Sequence, residues 1–215
     1  MKNTSQELFD ATRDQLFTVN GVSFVMKPVE GGAIDSYYMG ETPVTQALWT
    51  AVMGTTIEKN RDRVERWYDL KGKGDDYPMY YVNWHDCQKF IAKLNELTGK
   101  TFRMPTEEEW EYAARGGKKG GGHIYAGSDN LDEVAWYGKN SGGTSHPVKT
   151  KLPNELGIYD MSGNVWEWCG NNEPGGLYHL HGGGWDCEEQ YCQVSSRPFD
   201  ESTIRYSNIG FRIIL

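Results

Sequence analysis

Residues 101–117 read TFRMPTEEEWEYAARGG, and they contain both the start and the stop of a helix. Thr106 and Glu109 have capping-box spacing: the threonine hydroxyl accepts from the N–H three residues on, and the glutamate reaches back to the threonine N–H. Glu107 and Glu108 fall in the first turn, where the positive end of the helix dipole favours carboxylates. Trp110, Ala113 and Ala114 can face inward, and Gly116-Gly117 stops the helix. Capping and dipole therefore account for three adjacent glutamates without any catalytic task.

The second informative block is LGIYDMSGNVWEWC, residues 156–169. Gly163-Asn164 is a turn signal, and Val165–Trp168 reads as a buried strand or ledge. Glu167 stands between two tryptophans and needs a partner, because an unpaired buried carboxylate is costly. Hydrogen bonding to protein is the first expectation. A cation such as Ca²⁺, held by Glu167 and Asn164 with nearby carbonyls, is the alternative.

Working outward, the clearest helix runs from Trp84 to Leu97. Asn83 can cap it, Trp84, Cys87, Phe90, Ile91, Leu94 and Leu97 share a stripe, and Gly99 closes it. A shorter helix starts near Thr45 and ends at Gly54. Val22–Val29 and Ser36–Met39 have strand composition and pair as a hairpin across Glu30-Gly-Gly. Thr55–Asp76 is polar and charged and reads as a surface insertion, with Trp67-Tyr68 folding it back. Glu7–Phe17 reads as a short helix, so residues 1–20 form an N-terminal helical extension and 21–215 the main domain. Gly120–Asn154 is mostly loop. The fold class expected is α+β, with two central helices and much irregular structure.

The 215 residues include 26 glycines, eight tryptophans and 13 tyrosines, a composition of tight turns and aromatic faces. A net charge of −8 and a pI near 5.2 exclude a polyphosphate partner, so no nucleic acid is expected. No run is long enough to span a bilayer, and the polar N-terminus lacks a secretory h-region. The expected location is the cytoplasm by default, or a phage particle. The four cysteines, Cys87, Cys169, Cys187 and Cys192, form no CxxC pair, and the five histidines are scattered, which argues against zinc.

The blocks 40–54, 77–100, 102–117, 159–169 and the closing GGGW…NIGFR, taken in that order, resemble the formylglycine-generating enzyme (sulfatase-modifying factor) family, a version of the C-type lectin fold. The resemblance covers about residues 20–215. It implies the fold but leaves the function open, since the family contains both oxidases and binding domains.

The closing segment, HGGGWDCEEQYCQVSSRPFDESTIRYSNIGFRIIL from His181, carries the functional question. Within the family, copper-dependent oxidases hold Cu(I) between two cysteines spaced as Cys187 and Cys192 are here, and soft thiolates suit that ion. The resemblance departs from the oxidases at Gly184, where they carry serine, in the QVSSR after Cys192, and in the shortened loop before residue 156. The same segment also resembles the variable region of diversity-generating retroelement variable proteins. There, variable positions arise by mutation of adenines in AAC codons. Asp186, Cys187, Tyr191, Ser196, Phe199, Asp200, Ser202, Thr203, Ile204, Tyr206, Ser207 and Asn208 are all residues that such codons can yield. They alternate with a frame of Trp185, Cys192, Val194, Arg197, Arg205 and Gly210. Tyr, Phe, Ser and Asp on a rigid scaffold have the chemistry of a paratope.

The reading carried forward is a non-catalytic protein displaying residues 185–208 to a protein or glycan ligand on a cell or particle surface. Tyr191, Phe199 and Tyr206 are its expected anchors. The alternative is a copper-dependent formylglycine-generating oxidase using Cys187 and Cys192.

Overall fold

Asn20 and Gly21 both take positive φ, 48° and 84°, and this two-residue turn joins the first two strands. The computed structural model describes residues 9–64 and 69–215. Strand β1 (Gln15–Val19) pairs antiparallel with β2 (Val22–Val29), which pairs in turn with β3 (Tyr37–Gly40). The expected helix Glu7–Phe17 is thus corrected over its end: residues 15–17 are strand. Its beginning, through residue 8, lies outside the described residues. The physical reason is the Asn-Gly turn together with Thr18 and Val19, which favour an extended chain, while Phe17 stacks on Phe24 at 5.5 Å and meets Phe102 edge-on at 5.2 Å.

Three helices form as their caps predict. α1 (Gln46–Met53) starts at Thr45, whose side chain accepts from the Leu48 N–H, and ends at a left-handed Gly54. Next comes α2 (Ile57–Arg61), inside the expected surface insertion. It corrects that expectation locally, because Ile57 and Asn60 are buried against the body. Trp67 and Tyr68 lie outside the described residues. α3 (Trp84–Thr98) has a full capping box from Asn83 and Asp86 and a left-handed Gly99, and α4 (Glu107–Ala114) has one from Thr106 and Glu109. Cys87, Phe90, Ile91 and Leu94 of α3 are buried, whereas Leu97 is exposed. α5 (Leu131–Val134) is a single turn in the long loop region.

The second half builds a four-stranded sheet. β4 (Trp166–Glu173) lies between β5 (Leu177–His181) and β7 (Ile209–Phe211), and β6 (Phe199–Glu201) forms the outer edge beside β5. β7 runs parallel to β4, while the other pairs are antiparallel. The chain then continues to Ile214, which bridges both Met39 and Arg103, so the closing residues tie the first sheet to the second.

Two aromatic cores flank this sheet. In one, Trp49 stacks on Phe90 at 5.5 Å and Phe211 meets both edge-on. In the other, Trp110 packs with Ala113, Ala114, Met161, Cys169 and Val194. Glu167 joins them. Its carboxylate receives the Arg212 guanidinium through two contacts, at 2.8 and 3.0 Å, and the Trp110 indole N–H at 2.7 Å. Arg212 also donates to the carbonyls of Gly40 and Tyr159, so its charge is fully engaged. A buried carboxylate is tolerable only with such pairing.

Candidate binding surface

The segment 182–208 starts in a backbone that only glycine accommodates. Gly183 has φ 77°, and a Cβ there would lie 2.7 Å from Cys192 Sγ and 2.9 Å from the Tyr191 carbonyl. At Gly184 a Cβ would come within 3.2 Å of the Asn208 Cβ and of Asp186 Oδ1. This close approach lets the two ends of the segment meet: the Asn208 amide donates to both Asp186 carboxylate oxygens, at 3.0 and 3.1 Å. The Trp185 indole N–H donates to the Ser207 carbonyl, and the Trp166 N–H to that of Asn208.

The middle of the segment is held by the first turns of α3 and α4. Arg197 pairs with Glu107 at 2.6 Å, and Glu107 also faces His179 at 3.1 Å. Arg205 pairs with Asp86 at 2.8 Å, and Arg63 reaches the other oxygen at 3.0 Å. Burial pushes the Asp86 carboxyl up, but Arg205, Arg63 and the Asn83 N–H outweigh it, and its pKa is lowered. The carbonyls of Ser202, Thr203 and Tyr206 accept from the Trp84 N–H, the Asn83 amide and the Tyr81 N–H. Residues 202–206 therefore lie against the N-terminal end of α3 and satisfy donors that a helix start leaves open. Tyr81 takes φ 55°, a rare conformation for an aromatic residue, to direct its N–H there.

Against this frame, Tyr191, Phe199 and Tyr206 stand out at 46%, 56% and 51% exposure. Asp186 and Thr203 are exposed as well. Ser196, Asp200, Ser202, Ile204, Ser207 and Asn208 are half-buried. Three expected display residues are placed differently from the expectation. Asp186 and Asn208 bind each other, so they close the segment. Cys187 turns inward: its sulfur accepts from the Gly184 N–H at 3.2 Å and packs with the cluster of Tyr125, Leu131 and Tyr137.

Cys192 is fully buried in that same cluster, as its frame role requires. Burial pushes the Cys187 thiol up to about 11, against the Gly184 N–H, and the Cys192 thiol up to about 12, helped by Cys187 and Asp186 nearby. At the cation alternative, Glu167 has Arg212 as its positive partner, and Asn164 is engaged with His146 and Asp160. Both Glu167 oxygens already accept from protein donors, the arrangement expected first for this carboxylate. Among the described residues no group of three or more His, Cys, Asp or Glu side chains is placed to hold a metal ion. Nor is any helix among them long and apolar enough to cross a membrane.

Sequence reasoning missed the floor of the surface. Trp166 lies beneath Tyr191, with ring centroids 6.4 Å apart, and Trp84 packs on Tyr178 at 4.3 Å. The His85 ring lies 3.2 Å from the Ser202 hydroxyl. The capping box at Asn83 and Asp86 was the available signal, since a buried first-turn carboxylate looks for an arginine.

A C-type lectin-like α+β fold with an aromatic loop surface is the class that this geometry defines. The profile described as "Sulfatase-modifying factor enzyme 1-like domain" matches residues 5–215, and the chain belongs to that family, the formylglycine-generating enzyme family. It is 34% identical over 207 residues to the chaperone protein LppX of Paenibacillus barcinonensis, covering 75% of this chain and 74% of that protein. It is 32% identical over 178 residues to the formylglycine-generating enzyme of Streptomyces coelicolor, covering 67% of this chain and 54% of the enzyme. An inactive C-alpha-formylglycine-generating enzyme 2 of Bos taurus is also 32% identical, so relatives include proteins named as active and as inactive. The chain spans about half the length of these last two, 54% and 50%. Among solved structures, Treponema denticola variable protein 1 matches with a TM-score of 0.80 and 28% identity, over 94% of this chain and 98% of that one.

Proposed function

We propose that this protein is a non-catalytic ligand-binding member of its family, of the diversity-generating retroelement variable type, which presents residues 186–208 to a protein or glycan on a cell or particle surface. The observation that carries this reading is the division of the segment into two populations. Trp185, Cys192 and Val194 are buried and Arg197 and Arg205 are ion-paired, while Tyr191, Phe199 and Tyr206 are exposed between them. Such aromatics contribute large contact area with little conformational entropy to lose. The likeness to a variable protein over nearly its whole length adds support.

The test is the genomic locus. A reverse transcriptase gene and a near-copy of the last coding segment are expected beside this gene, with copies differing at codons such as 191, 199 and 206 but not at 185, 192 or 194. Absence of that template would overturn the diversification claim.

The oxidase reading keeps one observation in its favour: Cys187 and Cys192 pack in one cluster, and two soft sulfurs are the donor type for Cu(I). Bound there, the ion would supply oxygen activation. The discriminating experiment incubates the protein with Cu(I), O₂ and a CxPxR peptide. An aldehyde mass shift abolished by Cys187→Ser would overturn the binding proposal.

A further inference from the structure

We propose that the ligand is a protein surface whose arginine or lysine side chains seat between the exposed aromatics of residues 186–206 and those carboxylates of the same segment that meet no cation among the described residues. This rests on the binding reading above and adds the chemistry of the partner.

The first observation is where the exposed rings are. The large hydrophobic side chains exposed among the described residues are Leu16, Leu97, Ile124, Leu152, Tyr191, Phe199 and Tyr206. The aromatic ones all belong to this one segment. A π-face open to solvent attracts a guanidinium or ammonium, and most strongly where water is excluded on contact.

The second observation is the charge left over after the frame is satisfied. Residues 186–206 hold Asp186, Glu188, Glu189, Asp200 and Glu201 against Arg197 and Arg205. Both arginines are taken by buried carboxylates, Glu107 and Asp86, which lie outside the segment. Glu189 is taken by Lys139. Lys71, at the margin, lies over the Trp185 ring. Asp186, Glu188, Asp200 and Glu201 have no cationic partner among the described residues; the nearest engagements are neutral, with the Asn208 amide, the Gln190 amide and the Glu201 N–H. The frame therefore engages both arginines of the segment, Arg197 while still largely exposed, and leaves carboxylates in excess of cations on this surface.

The third observation is that rings and carboxylates are interleaved. Phe199 and Glu201 are alternate residues of β6, both exposed, and so share a face. Tyr191 closes a turn whose N–H donates to the Glu188 carbonyl at 3.0 Å. Asp186 is clasped to Asn208, two positions from Tyr206. An arginine can stack on a ring and form a charged, bidentate pair with a neighbouring carboxylate at once, whereas a neutral sugar placed there gains hydrogen bonds but no charge pairing. Nucleic acid is repelled by the same carboxylates.

The experiment pans short random peptides against the immobilised full-length protein. The expected binders are rich in arginine with net positive charge. Against the Glu188→Gln/Asp200→Asn/Glu201→Gln variant, a synthetic binder should lose about tenfold in affinity. Its binding to the unaltered protein should weaken from about 50 to about 500 mM salt more steeply than to the variant. These side chains make no ion pair among the described residues, and thermal unfolding checks that the variant is intact; if it is not, the single Glu201→Gln change reads the same effect in smaller degree. Neutral or acidic binders, or a neutral glycan retained on an array regardless of the three substitutions, would overturn the cationic partner. The binding reading would then survive only if those ligands are lost on the Tyr191→Ser/Phe199→Ser/Tyr206→Ser variant. Should that variant bind every recovered ligand unchanged, the binding reading fails, and the cationic partner with it.

Discussion

Glu167 and Glu201 are the same side chain beside aromatic rings, in two regions with opposite logic. Glu167 lies between tryptophans, fully buried, with the Arg212 guanidinium and the Trp110 indole filling its oxygens. Glu201 follows Phe199 on an edge strand, exposed, with its carboxylate facing no cation among the described residues. In the first region the carboxylate is matched inside the protein, and the tryptophans beside it are buried. In the second, the carboxylate is open to solvent, which is where the proposed partner would meet it. An aromatic-acid pairing in sequence therefore says little until burial and partners are known.

The contrast makes its largest prediction at Arg212. Arg212→Met removes one partner of a buried pair and strands the Glu167 charge, so urea denaturation should show a loss of about 3–5 kcal/mol. A loss below about 1 kcal/mol would mean that the core carboxylate is not held as described.

His181 gives the next effect. It is fully buried, stacks on Trp110 at 4.7 Å, and neither ring nitrogen has a hydrogen-bond partner among the described residues. Burial lowers its pKa from 6.5 to about 4; Glu111 and Glu108 draw it back up, and His179 and Arg197 push it further down. A lowered value means that the unfolded chain binds the proton first. Its stabilising contribution is complete above about pH 6.5 and is lost as pH falls towards 4, about 3 kcal/mol in all. His181→Phe should flatten that part of the stability profile, and an unchanged slope would refute the assignment.

The smallest effect belongs to the displayed region. Phe199→Ala and Tyr206→Ala should each change stability by no more than about 0.5 kcal/mol, because their rings are largely outside the fold. Thermal melts check this, and a large loss would make them part of the core.

Much of the fold was legible. Thr45, Asn83 and Thr106 mark helix starts and Gly54 and Gly99 mark helix ends, because caps are local devices read from a few residues. The N-terminal strand differs from the helix its pattern predicts: Leu8, Phe9, Leu16 and Phe17 can be placed on a helical face, but the Asn20-Gly21 turn commits residues 15–19 to a strand. The exposure of Tyr191, Phe199 and Tyr206 followed from their alternation with frame residues. The inward turn of Cys187 did not, because it depends on the Gly184 N–H and a cluster drawn from residues 125–137.

The sequence by itself determined the family, the helix caps and the buried frame positions Trp185, Cys192 and Val194. Each rests on local chemistry or on residue types with one use. Only the tertiary structure decided that Arg212 answers Glu167, that Asp86 and Glu107 hold the arginines of the display segment, and that Asp186 and Asn208 close it. These pairings join residues far apart in the chain, and which carboxylate meets which arginine depends on how the two sheets and the two capped helices pack.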